Sequence, residues 1–166
     1  MKPPPLVLPP TKKPSSPALS AATLLGRPSG ARGGLAGARV LIVEDDRDCR
    51  ELIRMFLERA AATVFCVDSV AAGMDCVYRS FDPDVVLTDF SMPGADGFDL
   101  IREFRKAPST RAVAVPILVL SGHSEDNWHA HALAAGAADV LIKPFDPPVL
   151  IAWIAAALVP GRSERA

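Results

Sequence analysis

The stretch VVLTDFSMPGADG, Val85 to Gly97, runs Val85, Val86 and Leu87 without alternation, then places a carboxylate, Asp89, just ahead of a turn built on Pro93, Gly94 and Gly97. An unbroken apolar run of this kind reads as a central parallel strand covered on both faces. The proline and glycines read as the punctuation that ends it. Asp89 is therefore expected at the carboxyl end of a buried strand. In open α/β sheets that edge is where ligands bind, so the next question is which other reactive residues arrive at the same edge.

Working outward from this stretch, strand and helix patterns alternate. ARVLIV reads as a strand, and DRDCRELIRMFLERA follows it with Cys49, Leu52, Ile53, Phe56, Leu57 and Ala60 at the spacing of a helix with one buried face. ATVFCV is a second strand, followed by a helix with Val70, Met74, Val77 and Phe81 on one side. DVVLTD is the third strand and GFDLIREFRKA its helix; PILVLS precedes EDNWHAHALAAG, and DVLIK precedes PPVLIAWIAAALV. Strand-helix alternation predicts a parallel sheet with helices on both faces, since a parallel crossover needs a connection of helix length.

Charge marks a boundary. Residues 1 to 38 hold five of the 18 Lys and Arg and none of the 19 Asp and Glu, which leaves 13 basic against 19 acidic residues, a net of −6, from 39 to 166. The first segment is also crowded with Pro, Gly, Ser and Ala, too poor in apolar mass to offset the entropy of ordering. It is expected to be a disordered basic tail over 1–38, ahead of one domain over 39–159 and a short C-terminal tail over 160–166. Its glycines precede the first strand rather than linking it to a helix, so they do not form a phosphate-cradling loop. No apolar run reaches the ~18 residues of a membrane span and no leader pattern opens the chain, so the expectation is a cytoplasmic protein. An acidic domain without a basic stripe is a poor match for nucleic acid. Cys49, Cys66 and Cys76 lack CxxC spacing and read as small buried residues rather than a disulfide framework or zinc site.

The strand ends can now be read together. The first strand exits into Glu44, Asp45 and Asp46, the third into Asp89, the fourth into Ser121 and the fifth into Lys143 and Pro144. Carboxylates crowded at one edge repel unless a cation joins them, and hard oxygen donors suit Mg²⁺. Lys143 adds positive charge and Ser121 a hydroxyl, which together with a metal would surround an anion attached to Asp89. A phosphoryl group is the expected anion. His123, His129 and His131 are not read as metal ligands, because i and i+2 on a helix point apart. Trp128 and Trp153 read as packing or partner-surface aromatics.

These residues resemble the receiver domain of two-component response regulators, over Arg39 to about Val159. VLIVEDD is similar to that family's first strand and acidic pair, TDFSMPGADG to its phosphoacceptor aspartate with the xxMPxxDG that follows, VLSG to its hydroxyl-bearing strand end, and GAADVLIKPF to its lysine-proline motif. The resemblance implies a flavodoxin-like (βα)5 fold with strand order 2-1-3-4-5. It also implies Asp89 as the phosphoacceptor, Ser121 as the switch hydroxyl, Lys143 as the phosphoryl-contacting lysine, and Mg²⁺ held by Glu44, Asp45, Asp89 and the backbone carbonyl of Ser91. Asp46 is then an extra acid, read as a helix cap, and Pro144 suggests a cis bond. The implied partners are a histidine kinase or phosphotransfer protein, a downstream protein, and a second receiver on phosphorylation. The receiver would catalyse its own phosphorylation and dephosphorylation. One departure stands out: three residues before the lysine, where the family commonly has Tyr or Phe, this chain has Val140. Two other readings are weaker. A non-phosphorylated pseudo-receiver acting as a docking module is opposed by the complete set of Asp45, Asp89, Ser121 and Lys143. An aspartyl-phosphate enzyme would need a second carboxylate two residues after the nucleophile, where Ser91 stands.

Overall fold

The computed structural model describes residues 34–79, 81–107, 114–122 and 126–158, with the side chains of residues 126 and 127 excepted. Among the described residues, five strands form one parallel sheet: Arg39–Val43 (β1), Thr63–Val67 (β2), Val85–Asp89 (β3), Ile117–Ser121 (β4) and Asp139–Ile142 (β5). Their order is β2-β1-β3-β4-β5, the flavodoxin-like arrangement that the resemblance implied. Helices Arg47–Arg59 (α1), Val70–Tyr78 (α2), Gly97–Lys106 (α3), Asp126–Ala135 (α4) and Pro147–Ala157 (α5) alternate with the strands.

β3 and β4 are buried at every position, which is why their sequences show no alternation. Their side chains still alternate between two cores. Leu41, Val43, Val86, Ile117 and Val119 pack with Met74 of α2, Leu100, Ile101 and Phe104 of α3 and Ala132 of α4. Val40, Ile42, Val85, Leu87, Leu118 and Leu120 pack with Ile53 and Leu57 of α1 and Leu150 and Ile154 of α5. Each fully buried large side chain contributes about 1.5–3 kcal/mol of transfer free energy, so these two layers fix the sheet and with it the strand ends.

The helix starts follow local chemistry. Asp46 caps α1 by accepting the Cys49 N–H at 2.7 Å, as its position suggested, and Ser69 caps α2 through Ala72. Asp96 and Asp99 form a reciprocal capping box at α3. Between β3 and α3, Ser91–Met92 and Ala95–Asp96 pair as a small antiparallel ribbon. Pro93 and Gly94 make its turn, with Gly94 at φ +78° in the left-handed region that a side chain disfavours.

Three sequence expectations are corrected. Leu52 does not belong to the buried face of α1: it is 50% exposed, while Ile53 and Leu57 are buried. Helix α2 ends at Tyr78, so Phe81 reaches the core from the loop beyond it. The tail boundary at residue 38 is too late. Gly34–Ala38 turn back onto the domain, with the Leu35 N–H donating to the Ala60 carbonyl at 3.1 Å and the Gly37 N–H to that of Ala61 at 3.3 Å. Leu35 itself is buried against the α1 and α5 core. The expectations for residues 1–33 and 160–166, and for His123, lie outside the described residues.

Candidate functional site

Parallel pairing in register brings the carboxyl ends of β1, β3, β4 and β5 to one edge. Glu44 follows β1 directly and is buried, while Asp45 beside it is exposed. Asp89 closes β3 and is 7% exposed; Ser121 closes β4 and is fully buried. Lys143 follows β5, where its N–H donates to the Ser121 carbonyl at 2.7 Å. The Lys143–Pro144 peptide is cis.

The side chains converge. Lys143 Nζ donates to Asp89 Oδ1 at 2.6 Å and to Glu44 Oε2 at 2.8 Å, joining residues 54 and 99 positions away in the chain. Glu44, Asp45 and Asp89 each offer a carboxylate oxygen within 4.8 Å of the others. Three hard oxygen donors this close repel one another, and such a set fits a small divalent cation. Glu44 Oε1 also accepts the Asp46 N–H at 3.3 Å. Burial alone would press the Lys143 ammonium toward neutrality. Its hydrogen bonds to Asp89 and Glu44, with the charge of both carboxylates, outweigh that and hold its pKa above the ordinary lysine value.

Ser121 and Lys143 thus share the edge with the acids as the sequence spacing predicted. Ser91 is exposed, at the start of the ribbon that leaves this edge, paired with Asp96. Gly97 permits the tight return into α3: a Cβ there would stand 3.2 Å from the Asp89 carbonyl oxygen and 3.3 Å from Phe90 Cα. Val140 is half-buried and packs against the α2–α4 core. His129 and His131 are exposed, and His129 Nε2 lies 3.5 Å from Asp139 Oδ1. Trp153 donates its indole N–H to the other Asp139 oxygen at 2.8 Å.

Two features escaped the sequence reading. Arg50 donates one guanidinium nitrogen to the carbonyls of both Glu44 and Asp45, tying the acidic loop to α1. Its signal was an arginine one helical turn past the acids, which on its own is indistinguishable from a solvated surface charge. Phe90, next to Asp89, packs against Phe98 and Trp128. Nothing in a linear spacing announces a contact between three separate elements.

Comparisons with known proteins agree with this geometry. A family model described as the response regulator receiver domain matches residues 40–155. The phosphate regulon transcriptional regulatory protein PhoB of Rhizobium meliloti is 33% identical over 128 residues, covering 76% of this chain and 54% of that protein. An uncharacterized 14.6 kDa protein of Leptolyngbya boryana is 33% identical over 117 residues, covering 70% of this chain and 87% of that protein. The chain spans about half the length of most of the curated relatives it matches, PhoB among them. Among solved structures, the chemotaxis protein CheY4 of Vibrio cholerae superposes with a TM-score of 0.68 at 25% identity, over 74% of this chain and 99% of that one. With the family model covering most of the chain and the acidic cluster and lysine gathered at one sheet edge, this chain belongs to the response regulator receiver domain family.

Proposed function

We propose that the chain is a phosphoacceptor in a two-component phosphorelay, taking a phosphoryl group onto Asp89 and signalling through contacts with another protein. The observation that carries this reading is the Lys143 ammonium 2.6 Å from Asp89 Oδ1, inside a three-carboxylate cluster at the carboxyl edge of the sheet. A partner's phosphohistidine is the proposed donor. A carboxylate oxygen of Asp89 attacks phosphorus, the P–N bond breaks, and the imidazole leaves with the bonding electron pair. Mg²⁺ held by Glu44, Asp45, Asp89 and the Ser91 carbonyl would supply neutralisation of the phosphoryl oxygens. Lys143 lies within reach of a further phosphoryl oxygen, and the Ser121 hydroxyl is assigned to the last.

The partners that follow are a histidine kinase or phosphotransfer protein and a downstream protein, in the cytoplasm, with a second receiver as a further partner once Asp89 is phosphorylated. Among the described residues no helix is long and apolar enough to cross a membrane. Nucleic acid is not proposed as a ligand of the domain, because 13 basic residues face 19 acidic ones from residue 39 onward. The test mixes the purified chain and its Asp89→Asn variant with phosphorylated kinases carrying radiolabel on histidine. Label should pass to the native chain from at least one kinase and never to the variant. Transfer to Asp89→Asn would move the nucleophile elsewhere, and no transfer from any donor would favour the docking-module reading.

A further inference from the structure

The strand β5, Asp139–Ile142, carries no aromatic side chain through which a change at Asp89 could reach the surface. Phe90 sits one peptide away from Asp89 and is pinned on both sides. Its N–H donates to the Leu120 carbonyl at 2.9 Å, and its own carbonyl accepts the Gly97 N–H at 2.9 Å. A Cβ at Gly97 would stand 3.3 Å from Phe90 Cα and 3.5 Å from its ring, so a glycine is what lets the backbone return this close beside Phe90. A change in the backbone at Asp89 therefore has to be taken up by the Phe90 ring or by whatever that ring touches.

The ring touches two helices. Phe90 meets Phe98 of α3 edge-on, with centroids 5.1 Å apart and planes at 74°, and meets Trp128 of α4 at 4.2 Å and 86°. Phe98 and Trp128 close the triangle at 5.8 Å. Edge-to-face packing is directional, because a ring's positive rim rests on its neighbour's negative face. A small rotation of Phe90 accordingly changes its interaction with Trp128, whereas the β-branched Val140 has no ring to turn and few rotamers.

We propose that Phe90 and Trp128 are positioning residues that couple the state of Asp89 to helix α4, so that α4 carries the phosphorylation signal in this chain without an aromatic residue on β5. The proposal rests on Asp89 being the phosphoacceptor. Phosphorylation shifts the backbone at Asp89, the Phe90 ring follows, and Trp128 moves α4 between two packings. The face altered is that of α4 with its exposed Ala130, His131, Leu133 and Ala134.

The test uses the full chain carrying Trp153→Phe, which leaves Trp128 as the sole tryptophan. Acetyl phosphate and Mg²⁺ are added, and three quantities are followed: phosphoryl incorporation by mass, Trp128 emission, and hydrogen exchange of the α4 amides. The expected result is incorporation accompanied by a shift in Trp128 emission and a change of about fivefold or more in α4 exchange. In Phe90→Leu, which keeps an apolar side chain there, incorporation should persist while the α4 response is lost; Trp128→Phe, read by exchange alone, should diminish it. Incorporation with no change in α4, or an undiminished α4 response in Phe90→Leu, would overturn the coupling while leaving the phosphoacceptor reading intact. An absence of incorporation would overturn both.

Discussion

A lysine ammonium 2.6 Å from the Asp89 carboxylate and 2.8 Å from that of Glu44 offsets the repulsion of an acidic cluster that the fold has largely buried. Removing that cation should expose the repulsion. Lys143→Ala is expected to cost about 1–3 kcal/mol, less than a fully buried pair because Lys143 is partly solvated. Mg²⁺ should raise the melting temperature of that variant more than it raises that of the native chain; equal increments would mean that the carboxylates do not share the cation. A second residue-scale prediction concerns Cys66, whose thiol burial pushes up to about 11 from 9.0. An acid with a raised native pKa stays protonated in the fold while the unfolded chain ionises. The resulting linkage leaves stability untouched below pH 9.0 and lowers it as pH rises from there through about 11. At pH 8 the native thiol should be alkylated ~100-fold more slowly than the denatured one, because only the thiolate reacts. Comparable rates would show that burial does not protect it.

The elements were legible to different degrees, for identifiable reasons. β3 and β4 could be read because burial on both faces leaves an unbroken apolar run, and α3 from the pattern GFDLIREFRKA, whereas the Asp96–Asp99 capping box that fixes its start went unread. Leu52 was misplaced because helical spacing alone does not say where a buried stripe ends, and α1 buries a narrower stripe, through Ile53 and Leu57, than its apolar residues would allow. The ribbon after β3 was seen only as a turn, since two-residue strands carry no period. The connection from α1 to β2 holds a feature no pattern revealed: Ala61 sits at φ +68°, the left-handed region that costs a residue with a Cβ roughly 1–2 kcal/mol. Ala61→Gly is therefore expected to stabilise the domain, by up to about 1 kcal/mol once glycine's extra unfolded-state entropy is subtracted. A lower denaturation midpoint in that variant would contradict the strain argument.

At the scale of the molecule, four strand ends meeting at one edge could be deduced from order and spacing, because parallel βα units all deliver their carboxyl ends to the same side. The domain's lower boundary could not. Composition gave Leu35 to the tail, and only its burial and the hydrogen bond from its N–H to the Ala60 carbonyl place it in the fold. A chain starting at Arg39 should therefore melt several degrees below one starting at Gly34, since losing a buried leucine costs about 2 kcal/mol or more. Identical melting points would return the boundary to Arg39. The central claim, that Asp89 receives a phosphoryl group in a site assembled from β1, β3, β4 and β5, is tested most directly by mapping the modified peptide after treatment with acetyl phosphate and Mg²⁺. The account predicts a single phosphoryl group on Asp89, labile to hydroxylamine as an acyl phosphate must be, and absent when Mg²⁺ is chelated. A phosphoryl group on any other residue, or one on Asp89 that forms equally well without a divalent cation, would contradict it.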